Sequence, residues 1–247
     1  MAITETNAQG TNALPILYCD RDLLVVQKPA GIAAQQDPGR GGDLLTLAAQ
    51  ALRERGEETA LYPVHRLDLV VGGLVVLART QTAAAALSAA VSQKDGFVKG
   101  YYAVAEGIVT PSAATLTDSL RHDTLRGRAV ICRPGTGGGK TAQLSYRTLA
   151  TENTGNGQPL TALSVRLMTG RFHQIRAQFS GAGFPLAGDR KYGAQIPAAF
   201  PALFAGYLAF RHPADGRPLA FSAVPPTVFP FSVFPESLYT PLFFEEK

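Results

Sequence analysis

The run from Gly73 to Ala78, GLVVLA, is uncharged, rich in valine and leucine, and too short for an ordinary helix. Such a run bounded by turn formers is the pattern of a β-strand buried on both faces. A chain holding such a strand must cover a sheet with other layers. The residues just ahead of it, HRLD at positions 65–68, then form the lip of that sheet.

The rest of the chain repeats the theme of short apolar segments divided by turns, with 25 glycines and 17 prolines among 247 residues. Leu23–Val26 reads as a strand ending at the turn formers Lys28, Pro29, Ala30 and Gly31. A short helix is expected from Leu44 to Arg53. Thr80 is placed to cap an alanine-rich helix over Gln81–Gln93, with Leu87 and Val91 on one face and Lys94, Asp95 and Gly96 as its stop. FVKGYYAVAEG, 97–107, is aromatic and β-branched and reads as a strand. AQLSYRTLA and PLTALSVRLMTG alternate as the arms of a hairpin, with Leu163, Val165 and Leu167 on one side and a polar loop over Asn153–Gln158. In RFHQIRAQFSGAG, Phe172, Ile175 and Phe179 recur at helical spacing, which predicts a helix carrying Arg171, His173 and Arg176 at its start and ending at Gly181 and Gly183. PGTGGGKT, 134–141, reads as a hairpin loop, and the proline-broken aromatic end of the chain as extended segments over the body.

Composition narrows the class. No window approaches the ~18 uncharged apolar residues of a membrane span, and the start lacks the basic and apolar stretches of a secretion signal. A polar tail over residues 1–15, a soluble protein and a cytoplasmic location are expected. Cys19 and Cys132 have no partner at disulfide-scaffold or metal-ligand spacing, and the histidines at 65, 122, 173 and 212 show no metal-site spacing. A net charge of +4 suits a polyanionic partner without demanding one.

Two places carry chemistry. An isolated aspartate at a strand edge is usually a cap or a solvated turn residue. Asp68, however, is followed by a strongly apolar strand, and a partly desolvated carboxylate is a reactive nucleophile or base when a cation keeps it ionised. Arg176 offers that cation. GRFHQIR reads either as an ordinary amphipathic helix start or as Arg171, His173 and Arg176 gathered at the positive end of a helix, where a phosphate or carboxylate is favoured. Tyr101 and Tyr102 alternate across their strand, so one ring packs inward while the other is free to support a nucleobase. The nucleotide-binding and serine-hydrolase motifs are missing from the sequence.

Together LLVVQKPAGI, HRLD with GGLVVLART, KGYYAVAEG, GRFHQIRAQFSGAGFPLAGDRKYG and LAFRHPADGRPLAFSA resemble, in order, the motifs of the RluA-like RNA pseudouridine synthases, from about Ile16 to Pro226. The resemblance implies an α+β fold: a mixed, mostly antiparallel central sheet flanked by helices and loops, with the active-site cleft across the sheet. It implies a catalytic domain over 16–226 with a C-terminal extension over 227–247 packing on it; many relatives also carry an N-terminal S4 RNA-binding domain, which the fifteen residues ahead of Ile16 are too few to supply, so RNA binding is expected to fall to the catalytic domain. Asp68 becomes the essential carboxylate, Tyr101 the ring against the target base and Arg176 the cation paired with Asp68. His65, Arg66, Arg171, His173 and Lys191 become RNA ligands. No cofactor, no metal, no membrane and no obligatory protein partner are implied; the partner is ribosomal or transfer RNA.

The chain departs from the family at two points. Val71 and Gly72 stand before Gly73 where a threonine and a serine are common, and Phe172 stands where threonine is usual. Asp68, Tyr101 and Arg176 all remain, so isomerisation of uridine is the expected activity. The rival is a catalytically impaired RNA-binding protein or RNA chaperone on the same fold. A more distant rival is a small-molecule hydrolase using His65 and Asp68.

Overall fold

The computed structural model describes residues 14–35, 42–57, 60–93, 96–135 and 137–240. Most of the expected polar tail, Lys94 and Asp95 of the helix stop, and residues 241–247 of the extension lie outside the described residues. The chain divides into two compact units, Met1–Val98 with Tyr207–Ala223, and Lys99–Gly206 with Val224–Lys247.

The first unit starts with strands β1 (Ile16–Cys19) and β2 (Leu23–Lys28), antiparallel and joined by a turn in which the Asp20 carboxylate accepts the N–H groups of Asp22 and Leu23 at 2.8 and 2.7 Å. Helix α1 (Leu44–Glu54) begins where Asp43 accepts the Thr46 N–H, and it buries Leu44, Ala48 and Leu52, one residue per turn on one face. The short β3 (Tyr62–Pro63) leads to β4 (Gly72–Ala78), which pairs antiparallel with β2 from Leu23↔Ala78 to Lys28↔Gly73. All of β4 is buried, as an uncharged strand covered on both faces must be. Helix α2 (Gln81–Gln93) starts with the expected cap, the Ala83 N–H donating to the Thr80 hydroxyl at 3.2 Å. It lays Ala83 and Leu87 on a core of Leu23, Val25, Leu74, Val76, Leu208 and Phe210.

In the second unit β5 (Val98–Glu106), β6 (Ala113–Asp123), β7 (Arg128–Cys132), β8 (Lys140–Asn153) and β9 (Pro159–Leu167) stand in the order β5-β9-β8-β6-β7, with every adjacent pair antiparallel. The predicted hairpin is β8–β9. β6 and β7 have no counterpart in the sequence reading, because β6 alternates exposed and half-buried polar residues instead of forming an apolar run. They also correct the reading of 134–141: β7 and β8 lie on opposite sides of β6, so this segment is a crossing between strands and not a hairpin loop.

Helix α3 (Gln174–Gly181) starts three residues later than the apolar spacing predicts. Ile175 and Phe179 are buried in it, but Arg171, Phe172 and His173 precede it, and His173 sits in the left-handed region at φ 50°. The helix passes so close to β7 that a Cβ on Gly181 would come within 2.2 Å of Ile131 Cδ1, so a larger residue there would make the exposed Ile131 side chain shift. Strand β10 (Leu203–Arg211) begins in this unit and ends in the first, where it pairs antiparallel with β11 (Pro218–Ser222). The chain end, expected as extended, forms two single 3-10 turns, Phe231–Val233 and Glu236–Leu238, and buries Phe231, Phe234 and Tyr239.

The strand behind Asp68 is the part of the first unit most sensitive to packing. Leu74 is 1% exposed in its core, and Leu74→Ala is expected to lower stability by roughly 2–5 kcal/mol, read as an earlier urea midpoint at unchanged slope.

Candidate active site

Asp68 is half-buried at the first position of a turn closed by the Val71 N–H donating to the Asp68 carbonyl at 3.0 Å. Its neighbour Leu69 carries the tie to the rest of the unit. The Leu69 carbonyl accepts the Gly31 N–H at 2.8 Å and the Lys28 ammonium at 3.3 Å. Lys28 is 1% exposed, and its Nζ also donates to the carbonyls of Ile32 at 2.7 Å and Pro29 at 2.9 Å. The KPAG turn and the turn of Asp68 are thus sewn together by one buried cation. Gly31 supports this with φ 88°, a conformation that side chains with a Cβ rarely adopt. Around Val71 and Gly72 the turn is held through backbone bonds and Lys28.

Burial pushes the Lys28 ammonium down to about 8, and the Asp68 carboxylate acts against that shift. The attraction is mutual, so a charged Lys28 favours the ionised form of Asp68. Sequence reasoning treated Lys28 only as a turn former. The available signal was a lysine closing the apolar strand LLVVQK, where a charge is costly unless it has a task.

Of the other expected residues in this unit, Arg66 is exposed, whereas His65 has a structural contact: its Nε2 accepts the Val76 N–H at 3.2 Å and its ring meets Phe97 edge-on at 5.6 Å. That bond fixes Nε2 as an acceptor. Asp20, Asp22 and His212 place potential ligand atoms within 4.8 Å of one another. The oxygens of Asp20 already accept from Asp22 N–H, Leu23 N–H and the Tyr18 hydroxyl, and His212 Nε2 lies at 2.8 Å, so the group reads as a hydrogen-bonded knot between the β1–β2 turn and the β10–β11 hairpin.

The second unit holds Tyr101, Arg171, His173, Arg176 and Lys191. Tyr101 is buried on β5 opposite Val165. Tyr102 packs edge-on against Tyr239 of the chain end, ring centres 5.2 Å apart, and burial drives its phenol well above the ordinary value. Both rings are therefore enclosed, on opposite sides of the strand. Arg176 is buried on α3 and forms a bidentate pair with the equally buried Asp189, Nε to Oδ2 at 2.7 Å and Nη2 to Oδ1 at 2.9 Å. The Tyr192 ring lies 5.0 Å from its guanidinium carbon. A planar fork held on one edge by a carboxylate and on one face by a ring has a fixed direction.

Asp189 and Tyr192 were not singled out in the sequence, although both stand inside the quoted segment GDRKYG. Exposed Arg171 and Lys191 are moored by their side chains to the carbonyls of Thr141 at 2.9 Å and Gly127 at 3.1 Å. His173 Nδ1 lies 2.9 Å from the Tyr192 hydroxyl. The structure thus gathers His173 and Arg176 around Tyr192, and keeps His65, Arg66 and Asp68 in the other unit.

A family model described as RNA pseudouridylate synthase matches residues 22–181, a span that includes Lys28, Asp68, Tyr101 and Arg176. The chain belongs to the RNA pseudouridylate synthase family. An uncharacterised RNA pseudouridine synthase of Bacillus subtilis is 33% identical over 73% of this chain and 58% of its own. The ribosomal large subunit pseudouridine synthase D of Pseudomonas aeruginosa is 32% identical over 82% of this chain and 65% of its own, which accords with the RluA-like branch. The chain thus spans less than two thirds of the length of either relative. The human RNA pseudouridylate synthase domain containing 4 shares the fold, with a TM-score of 0.70 at 22% identity, covering 89% of this chain and 91% of its own. Pseudouridine synthases are isomerases. No helix among the described residues is long and apolar enough to cross a membrane.

The Lys28 clamp has a pH signature. Its folded value near 8 lies below the ordinary 10.5, so between the two the unfolded chain holds more protons and stability rises with pH. Urea unfolding from pH 7 to 10 is expected to show wild type gaining on Lys28→Met as pH increases; the comparison cancels the tyrosines that titrate above that range.

Proposed function

We propose that this chain isomerises uridine in ribosomal or transfer RNA to pseudouridine, with Asp68 as the essential carboxylate, Tyr101 as the ring against the target base and Arg176 as the cation of the site. The observation that carries the reading is the clamp at Asp68: a half-buried carboxylate on a turn fixed by a fully buried ammonium that favours its ionised form. Family membership supports the reaction, and the name of the Pseudomonas relative supports a ribosomal substrate. Residues 16–226 act in this reading as one catalytic domain, with 227–247 packed on it.

The isomerisation breaks the bond from uracil N1 to ribose C1′, turns the base and joins C5 to C1′. C5 gives up its proton and N1 gains one, so nothing is oxidised and no cofactor is called for. Positive charge builds on the sugar as the first bond breaks, and a close carboxylate stabilises or traps it, as in glycoside hydrolysis. The target uridine must leave its stack to reach the site, at a cost of a few kcal/mol that pocket contacts offset. Arg66, Arg171 and Lys191, exposed and basic, hold the RNA backbone. His65 and His173 act beside them, each with one ring nitrogen already engaged by the protein.

RNA labelled with tritium at uridine C5 tests the reaction. Wild type is expected to release the label and Asp68→Ala to release none; RNA binding with no release from wild type means the non-catalytic RNA-binding reading is the correct one. The phosphate ligands are tested separately, by affinity across a salt series. Replacing Arg171 and Lys191 with alanine is expected to flatten the slope of log affinity against log salt by about 0.7 per lost contact to single-stranded RNA, and an unchanged slope removes both from the RNA interface.

A further inference from the structure

Phe172 replaces a hydroxyl residue common in the family, and the reaction described above gives it no task. Its ring lies 3.8 Å from that of His173, nearly parallel at 18°, and 4.2 Å from that of His122 on its other contact. His122 stands on β6 directly opposite Ala129 on β7. The Ala129 N–H donates to the Tyr192 hydroxyl at 2.7 Å, and that hydroxyl also meets His173 Nδ1 at 2.9 Å. One rung of the β6–β7 pair is therefore held twice: by its ring to Phe172 and by its backbone to Tyr192. The circuit closes through His173, whose ring joins the stack at one end and the Tyr192 hydroxyl at the other.

Two further observations link this circuit to the site. His173 is the one described residue other than glycine with positive φ, a conformation that costs on the order of 1 kcal/mol and persists only where its surroundings impose it. Tyr192, fixed by the circuit, lies 5.0 Å from the Arg176 guanidinium carbon. We propose that Phe172 is a positioning residue for the isomerisation: stacked on His173 and tilted against His122, it locks the Ala129–Tyr192–His173 hydrogen bonds and so sets Tyr192 against the Arg176 guanidinium. The inference rests on the reading of Arg176 as the cation of the site.

The test uses the full chain with Phe172→Leu, which keeps an apolar side chain of similar bulk without a π face, and Phe172→Tyr, which keeps the ring. Two readouts are followed: tritium release from C5-labelled RNA taken from cells lacking the protein, and solvent exchange of the Arg176 Nε–H by NMR. An aromatic contact of this kind is worth roughly a 3- to 10-fold effect. Phe172→Leu is expected to lower kcat by that factor with KM within twofold, and to speed Nε–H exchange by a similar factor. Phe172→Tyr restores both. A loss confined to KM, an exchange rate unchanged by Phe172→Leu, or a kcat within twofold of wild type overturns the proposal. Should Phe172→Leu fail to fold, His122→Ala removes the outer ring alone and is expected to move both readouts in the same direction. A wild type that releases no tritium refutes the enzymatic reading, while the exchange rates still decide whether Phe172 orders Arg176.

Discussion

The buried ammonium of Lys28 is the interaction that ties together the turn after β2 and the turn of Asp68. A charge at 1% exposure is tolerated only when its donors are satisfied and a counter-charge is near. Here three carbonyls take the hydrogen bonds and the Asp68 carboxylate supplies the field. Two of those carbonyls belong to the turn after β2 and the third to the turn of Asp68. The cation thereby converts a long-range contact, 41 residues apart in sequence, into a fixed geometry. An apolar residue of the same length would fill the space and take the ammonium donor from the Pro29 and Ile32 carbonyls, while the Leu69 carbonyl kept only the Gly31 N–H.

The second unit meets the same requirement on a helix. Gln174, Arg176 and Gln178 are all buried on α3, an arrangement that packing alone would not select. Each finds partners outside the helix. Gln174 Oε1 accepts from the Thr169 hydroxyl and the Arg171 N–H while its amide donates to the Gln143 carbonyl, Arg176 takes Asp189, and Gln178 donates to Asp118. A helix tied this way cannot rotate without breaking several bonds at once, which is what fixes a guanidinium in space.

Much of this was legible because the hydrophobic period is a direct record of burial. β4 read as a two-faced strand and is one; α2 was marked by its threonine cap and the β8–β9 hairpin by its alternation. β6 and β7 escaped for the converse reason: their residues face solvent on one or both sides, so no apolar rhythm distinguishes them from loop. The start of α3 was misplaced because Phe172 supplied an apolar residue at the right spacing, though its ring serves a stack with two histidines and not the helix face. Asp68, Tyr101 and Arg176 were singled out through order and resemblance. Lys28, Asp189 and Tyr192 were not, since their importance is a matter of who stands opposite them, and pairing across a fold leaves no periodic trace.

Positions 71, 72 and 172 carry no hydroxyl in this chain, and other contacts hold the segments around them. A hydroxyl near a catalytic turn does one physical job: it offers a short hydrogen bond that makes one backbone conformation cheaper than its neighbours. Beside Val71 and Gly72 the Leu69 carbonyl takes two donors from the adjoining turn, and the Phe172 ring meets those of His173 and His122. Backbone and aromatic ties need no particular side chain at positions 71 and 72, so valine and glycine are tolerated there without loosening Asp68. They are also directional in different ways, the carbonyl bonds fixing a turn and the stack fixing a plane. The carbonyl bonds hold the turn that carries Asp68, and the Asp189 carboxylate and the Tyr192 ring hold the plane of the Arg176 guanidinium, so each tie removes a different degree of freedom.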